Sequence, residues 1–485
     1  MQLAQLLKRL DKERFASYPL KGEVSSLCAH SQAVEPGSLF VAIEGAKQKG
    51  SDFIAEAVRK GAIGVIAPQE NESLVMGKVP FISFPDTRYA LAVLADEFFG
   101  HPSGEIKVVG VTGTNGKTTI TYIISHILAE ANFSSGIIGT IKYSFKDTVI
   151  PASNTTPGPL ELQPLLRQMV GQACDYCIME VSSHGLDQKR AEGIEFKAGI
   201  FTNLTQDHLD YHLNLENYFL AKAKLFTSLK PDAYAIINAD CPYGKRLIAL
   251  TKAKVLTYAI DNDADIKAAS VSLGLEGSTF VLHTKNGQAK ITTPLMGRHN
   301  ILNILAGIAF ALTQGIGLSD IQKALASFPG VKGRLERLSL KGRNIFVDYA
   351  HTPDALLNAL SILRQLSSNH LTIVFGCGGE RDRLKRPLMA EVAQRYADTI
   401  IITSDNPRRE DPKAIAHEIA SGIKNKGYTI ILDRRQAIEA AITQSKKGDT
   451  ILIAGKGHEN YQIFKDKKIE FDDIIVAQSC LTHIA

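Results

Sequence analysis

Three glycines within seven residues, followed by a lysine and two threonines, stand at residues 110–119 in the run G-V-T-G-T-N-G-K-T-T. Gly113, Thr114, Asn115 and Gly116 can curl backbone N–H groups around an anion, and a helix opening at Lys117 would add its dipole. Lys117 would reach the terminal phosphates of a nucleoside triphosphate. The Thr118 hydroxyl would ligate Mg²⁺, with Thr119 beside it. The spacing departs from the usual phosphate loop, because Gly110 is the first glycine and five residues rather than four precede Gly116-Lys117.

Further polar residues sit where such a loop could use them. Glu180 ends the apolar run Tyr176 to Val181, and a carboxylate at a strand's C-terminal end beside a phosphate loop can hold Mg²⁺; the alternative is a solvated strand end. Asn203, Asp207, His208 and Asp210 follow the apolar run Ala198 to Thr202. Between Glu216 and Leu229, Tyr218, Phe219, Leu225, Phe226 and Leu229 share one helical face, with Lys222 in its middle and Lys224 opposite. A lysine there must snorkel, pair or lose its charge, and snorkelling is the favoured outcome from the residues alone. An unprotonated amine could also take up CO₂ as a carbamate. Cys174 and Cys177 form a C-x-x-C without a second pair or a nearby histidine, so packing beside a strand is the expectation.

Elements that could position these groups follow from periodicity. Ile106 to Val111 suits a buried strand, and Ile120, Ile123, Ile124, Ile127 and Leu128 fall on one face of the next helix. The 485 residues exceed one core, and two breaks, at 100–104 and 328–333, give three expected domains: 1–103, 104–332 and 333–485. The first is a small α/β domain. The second is a doubly wound parallel sheet around the phosphate loop, with a small antiparallel addition at 264–293 near Asn286-Gly287. The third alternates strands and helices as a Rossmann-like domain, whose loops after strand ends should face a ligand. A net charge of +5 makes no case for nucleic acid, no apolar run suits a membrane helix, and six scattered cysteines fit a reducing cytoplasm.

Five ordered motifs resemble the Mur ligase family: the loop at 110–119, N-T-T-P at 154–157, M-E-V-S-S-H-G-L at 179–186, F-T-N-L-x-x-D-H-L-D-Y-H at 201–212 and D-Y-A-H-T-P-D at 348–354. The resemblance spans the chain. It implies an ATP-dependent amide ligase acting through an acyl phosphate, on the branch that adds meso-diaminopimelate to UDP-MurNAc-L-Ala-D-Glu, and a monomer is expected. By this likeness Lys117, Lys222 and His208 are catalytic. Thr118 and Glu180 hold one Mg²⁺, and His208 with a carbamylated Lys222 holds a second, which reverses the preference for snorkelling. Asn300, Asn303, Arg334, Asp348 and His351 join the ATP site. Ala29, Ser31, Ala46, Lys47, Gln48, Asn154, Thr155, Thr156, Ser182, Gln188 and Arg190 are implied for the UDP-substrate, although His30 and Gln32 replace the charged neighbours that Ser31 has in the family. Asp405, Asn406, Pro407 and Arg408 set the amino acid added, with Arg381, Gly455 and Glu459. Arg408 offers a planar fork for a second carboxylate, and Glu459 would meet the distal ammonium. Without the resemblance, D-N-P-R is only a turn. Competing expectations are a related ligase such as folylpolyglutamate synthase and a nucleotide-dependent regulator.

Overall fold

The strand Lys107–Thr112 is buried along all but its first residue and leads through Gly113 into the helix Lys117–Glu130. This computed structural model describes residues 1–11, 22–45, 48–75, 77–285, 287–340 and 342–482. Ala46, Lys47 and Asn286 lie outside them. Contacts divide the chain into two units, one of Met1–Ala269, Val281–Ala289 and Leu302–Leu325, the other of Ser270–Phe280, Lys290–Ile301 and Ala326–Ala485.

In the first unit, the strands Ser26–Cys28, Ser38–Val41, Gly64–Ala67 and Phe81–Ser83 pair in parallel in chain order. The helix Thr87–Phe98 follows, capped by Asp86, whose Oδ1 accepts from Tyr89 N at 2.9 Å. The central sheet places Lys107–Thr112 between Tyr176–Glu180 and Phe196–Phe201, both parallel to it. Their register pairs Val111 with Glu180 and Thr112 with Phe201, so three strands end together at the loop. Ile120, Ile123, Ile124, Ile127 and Leu128 are all buried, as the helical period requires. Cys174 and Cys177 are buried in the same core.

One feature of this sheet escapes periodicity. Lys142–Phe145 and Thr148–Pro151 extend one edge in antiparallel fashion. The expected addition at 264–293 is three strands, Ile266–Gly274, Gly277–Thr284 and Gly287–Thr293, which carry the order onward to eleven strands.

The second unit holds a six-stranded sheet in the order Glu336–Leu340, Arg343–Asp348, Thr450–Ala454, Leu371–Phe375, Thr399–Ile402 and Thr429–Ile430. All pairs are parallel except the first. The chain's last parallel strand thus inserts between two earlier ones, and the loops after Asp348, Phe375, Ile402 and Ala454 lie at one end of the sheet. The edge strand Thr429–Ile430 is only two residues long, with backbone bonds continuing beyond it from Ile431 N to Ile402 O at 3.0 Å and from Ser404 N to Leu432 O at 3.3 Å.

Candidate active site

Gly113 and Gly116 adopt φ of 146° and 92°. A Cβ at Gly113 would fall 1.8 Å from Thr202 Oγ1, and one at Gly116 would fall 2.4 Å from Asn303 Oδ1, so both positions require glycine. The loop is tied to the end of the neighbouring strand. Thr114 N donates to Asn203 O at 2.9 Å, Asn115 N to Asn203 Oδ1 at 3.0 Å, and Thr202 Oγ1 to Asn115 O at 2.6 Å. Lys117 folds over the loop, its Nζ donating to Gly113 O and Thr114 O, both at 2.8 Å.

Glu180 is 1% exposed, which removes the solvated strand end as a reading. Its Oε1 accepts from Thr118 Oγ1 at 3.0 Å and Thr140 N at 2.9 Å, and its Oε2 accepts from Thr140 Oγ1 at 3.0 Å. A carboxylate and a hydroxyl held together at the end of the phosphate loop are the hard oxygen donors that suit Mg²⁺. No group of three or more His, Cys, Asp or Glu able to hold a metal occurs among the described residues.

Lys222 does not snorkel. On the helix Leu215–Thr227 it is 1% exposed, its Nζ donating to Gly113 O at 2.9 Å and lying 4.4 Å from the centre of the Tyr218 ring. The amine is thus held at a backbone carbonyl rather than in water. Burial pushes its pKa well below the usual lysine range, the Lys117 ammonium adds to this, and Asp207 opposes it. Two lysines therefore converge on one carbonyl oxygen. The Tyr218 hydroxyl lies 3.3 Å from Thr114 Oγ1 and joins this helix to the loop.

His208 caps the short helix Leu209–His212 at φ 52°. Partial burial lowers its pKa, Asp207 works against that, and Lys117 and Lys222 add to the lowering. Its ring packs edge-on against His184, with centroids 4.9 Å apart. His184 is pushed down to about 4 by burial and then by His208 and His212.

Residues implied for the UDP-substrate fall in two groups within the first unit. Thr156 Oγ1 donates to Glu180 O at 2.9 Å, Ser182 N donates to Thr156 Oγ1 at 2.9 Å, and the Thr155 and Thr140 hydroxyls lie 3.0 Å apart. Arg190 Nη1 donates to Thr156 O at 2.9 Å, and its Nη2 donates to Gln188 Oε1 at 2.8 Å. Asn154 is exposed beside them, its N donating to the Tyr143 hydroxyl at 3.0 Å. This group adjoins the phosphate loop through Glu180. In the other group Ser31 is buried and donates to Glu56 Oε2 at 2.8 Å, while Lys60 Nζ donates to Ser31 O at 3.1 Å. Ala29 leads into it, and Gln48 O accepts from Gly45 N at 3.0 Å.

In the second unit Asp348 accepts from Leu335 N at 2.6 Å and Ala350 N at 2.8 Å, and the Arg334 guanidinium lies 5.1 Å from the Tyr349 ring centre. His351 O accepts from Lys385 Nζ at 2.8 Å, and Asn300 Nδ2 donates to Met296 O at 2.9 Å. Asp405 and Asn406 are buried, Arg408 is half-buried at φ 52°, and Arg381 is exposed. Arg408 Nη1 donates to Gly379 O at 2.8 Å, and Gly379 N donates to Asn406 O at 2.9 Å across the turn at Pro407. A Cβ at Gly455 would meet Asp405 Oδ2 at 2.6 Å, and Asn406 Nδ2 donates to Glu459 Oε2 at 2.8 Å.

Family models match in chain order: the Mur ligase family catalytic domain at 23–99, the Mur ligase middle domain at 111–311 and the Mur ligase glutamate ligase domain at 333–457. A UDP-N-acetylmuramoyl-L-alanyl-D-glutamate–2,6-diaminopimelate ligase of Syntrophomonas wolfei is 44% identical over 99% of both chains. The chain belongs to the Mur ligase family. A ligase of the same description from Clostridium tetani is 42% identical over 100% of both chains. A solved structure of such a diaminopimelate ligase aligns with a TM-score of 0.71 at 32% identity over 99% of each chain. Mycobacterium tuberculosis folylpolyglutamate synthase, solved with ADP and AMPPCP, aligns with a TM-score of 0.64 at 19% identity over 76% of this chain and 92% of its own, a likeness of fold alone.

Some residues of this Mur ligase's site carry little sequence signal. Thr140 donates twice to Glu180 from between two short strands and is found only through tertiary structure. Tyr218 reads as core until its hydroxyl is seen at Thr114. Arg386, fully buried, bonds Glu410, Glu418 and Gly378 O beneath the Arg408 turn; an arginine at the start of an otherwise ordinary helix does not announce that.

Proposed function

We propose that this chain is an ATP-dependent amide ligase that adds meso-2,6-diaminopimelate to the D-Glu side-chain carboxylate of UDP-MurNAc-L-Ala-D-Glu in peptidoglycan precursor synthesis. The observation that carries the chemistry is the convergence of Lys117 and Lys222 on Gly113 O, which sets a phosphate-reaching lysine and a buried amine on one loop. The acceptor follows the full-length relatives, whose names specify diaminopimelate. It also follows the turn that carries Arg408, where Arg408 Nη1 donates to Gly379 O and Asn406 Nδ2 donates to Glu459 Oε2.

A free carboxylate is a poor electrophile. Transfer of the γ-phosphoryl group from ATP to a carboxylate oxygen gives an acyl phosphate and ADP. The acceptor's amine nitrogen then attacks the acyl carbon, loses its proton, and phosphate departs as the amide forms. Backbone N–H groups at 116–119, at the start of the helix, and Lys117 orient and neutralise the transferred group, which is where catalysis of such a step resides. Magnesium, when bound, supplies charge neutralisation at the phosphates. Thr118 and Glu180 would hold one ion, and His208 with a Lys222 carbamate would hold a second. The depressed basicity of Lys222 supports the carbamate, since a neutral amine is the form that captures CO₂. Asn303 beside Gly116 serves the nucleotide, with Asn300, Arg334, Asp348 and His351; Ser31, Thr155, Thr156, Ser182, Gln188 and Arg190 hold the UDP-muramoyl peptide. The chain would work as a cytoplasmic monomer of three domains, 1–103, 104–332 and 333–485. No helix among the described residues is long and apolar enough to cross a membrane.

Purified protein tests this directly. Phosphate release should require ATP, UDP-MurNAc-L-Ala-D-Glu and meso-diaminopimelate together. Turnover indifferent to both co-substrates would instead support a nucleotide-driven regulator.

A further inference from the structure

Lys456 has no role so far. It follows the strand Thr450–Ala454 in the loop Gly455-Lys456-Gly457-His458-Glu459, yet its side chain is 0% exposed. An ammonium withdrawn from water has to be charge-paired and hydrogen-bonded. Its Nζ donates to Asn406 Oδ1 at 3.2 Å and Glu459 Oε2 at 3.1 Å, and lies 5.4 Å from the Tyr461 ring centre. Asn406 closes the triangle, its Nδ2 donating to the same Oε2 at 2.8 Å. Asn406 Oδ1 also accepts from Ile463 N at 3.0 Å, while Ile463 O accepts from Arg408 N at 3.0 Å. Lys456, Asn406, Glu459 and Arg408 are thus one hydrogen-bonded assembly.

Both side-chain bonds to the Glu459 carboxylate fall on Oε2, and among the described residues Oε1 accepts none. The Glu459 side chain keeps 19% of its exposure, so Oε1 is open to a ligand. Its charge is already matched by Lys456. A ligand carrying only an ammonium would bring a net positive charge against a neutral pair with Arg408 close by, and like charge disfavours it. A far end with both an ammonium and a carboxylate carries no net charge. It can give its ammonium to Oε1 and its carboxylate to Arg408.

We propose that Lys456 is a positioning residue that makes the acceptor site discriminate: it occupies and neutralises one side of Glu459, so that the site accepts a zwitterionic far end and rejects a bare ammonium. This rests on the reading of the second unit as the acceptor site. In Lys456→Met the unmatched Glu459 should welcome a lone cation. The ratio of kcat/KM for L-lysine to that for meso-diaminopimelate should rise about tenfold, the equivalent of one charged hydrogen bond, while KM for ATP and kcat stay within about twofold. Lys456→Gln keeps a donor and loses the charge, and should shift the ratio the same way if the methionine variant does not fold. Glu459→Gln leaves Lys456 unmatched and should lower L-lysine use further. An unchanged ratio in the Lys456 variants, or an acceptor effect no larger than the effect on KM for ATP, overturns the proposal, as does unchanged L-lysine use in Glu459→Gln. Wild-type protein unable to ligate meso-diaminopimelate would overturn the functional reading, and with it this one; a ligating wild type with indifferent variants overturns this one alone.

Discussion

Lys222→Met should give a protein that is at least as stable as the wild type at neutral pH and inactive. The unfolded chain holds this amine at ordinary lysine basicity, whereas the folded chain holds it well below. Between those two values the unfolded state binds a proton that the folded state does not, so stability rises with pH across the window and is lost as pH falls toward the folded value. At pH 7 each unit of depression above that pH costs about 1.4 kcal/mol. Methionine fills the same apolar layer with no such cost but gives up the bond to Gly113 O, worth about 1 kcal/mol. That carbonyl keeps Lys117 Nζ at 2.8 Å, so it is not orphaned. One unit of depression already offsets the lost bond. Denaturation followed from pH 7 to 10 in CO₂-free buffer should therefore show the variant equal or ahead at pH 7 and falling behind as pH rises, with ligation down by at least about 10²-fold. Bicarbonate should raise the wild-type midpoint and leave the variant's unchanged, because a group bound only by the folded state stabilises it by mass action. A ¹³C-labelled carbamate signal should appear in the wild type alone. Ligation at the wild-type rate, or a stability deficit constant from pH 7 to 10, would refute the reasoning.

Arg408→Ala should raise KM for meso-diaminopimelate by about 10- to 100-fold, the worth of a charged hydrogen bond, with KM for ATP unchanged in a phosphate-release assay. Glu180→Gln keeps an acceptor for Thr118 but removes the charge. It should raise the magnesium needed for half-maximal rate by about tenfold or more, with UDP-substrate binding by calorimetry unaltered. Gly113→Ala forces a Cβ to within 1.8 Å of Thr202 Oγ1; nucleotide binding by fluorescence titration should disappear, with a stability loss of about 1–3 kcal/mol. His184, held near 4 against an ordinary 6.5, binds its proton more readily unfolded, so stability should fall as pH drops from 6.5 toward 4. A His184→Gln variant should lose less over that range, by up to about 3 kcal/mol, in acid-denaturation curves.

The loop at 110–119 was legible because strand, glycines and helix follow one another directly, so local pattern and tertiary role coincide. Glu180 was legible as a strand-end carboxylate, but not its burial, which Thr140 enforces from a distant turn. Lys222 misled on residue pattern alone. Its position predicts snorkelling, and only the packed loop above it shows that the amine cannot reach water. Antiparallel pieces were the least visible. Lys142–Phe145 and Tyr461–Phe464 are short, part-exposed and mixed in composition, Glu336–Leu340 is short and mixed, and their partners rather than their periods define them. The D-N-P-R segment reads as a turn, and it is one. Its left-handed Arg408 and its anchorage on Ile463 lie beyond what a dipeptide signal carries.

The pairing of Val111 with Glu180 and of Thr112 with Phe201 has a bearing on how the enzyme could fail or evolve. Side chains alternate faces along a strand, so slipping Tyr176–Glu180 by one residue would turn Glu180 from Thr118 toward the opposite layer of helices. These strands lie far apart in sequence, so their pairing is non-local and forms late relative to local helices and turns. Insertions should be tolerated in the loops between those strands and barred within them, so length variation among descendants of this chain belongs outside the three aligned ends.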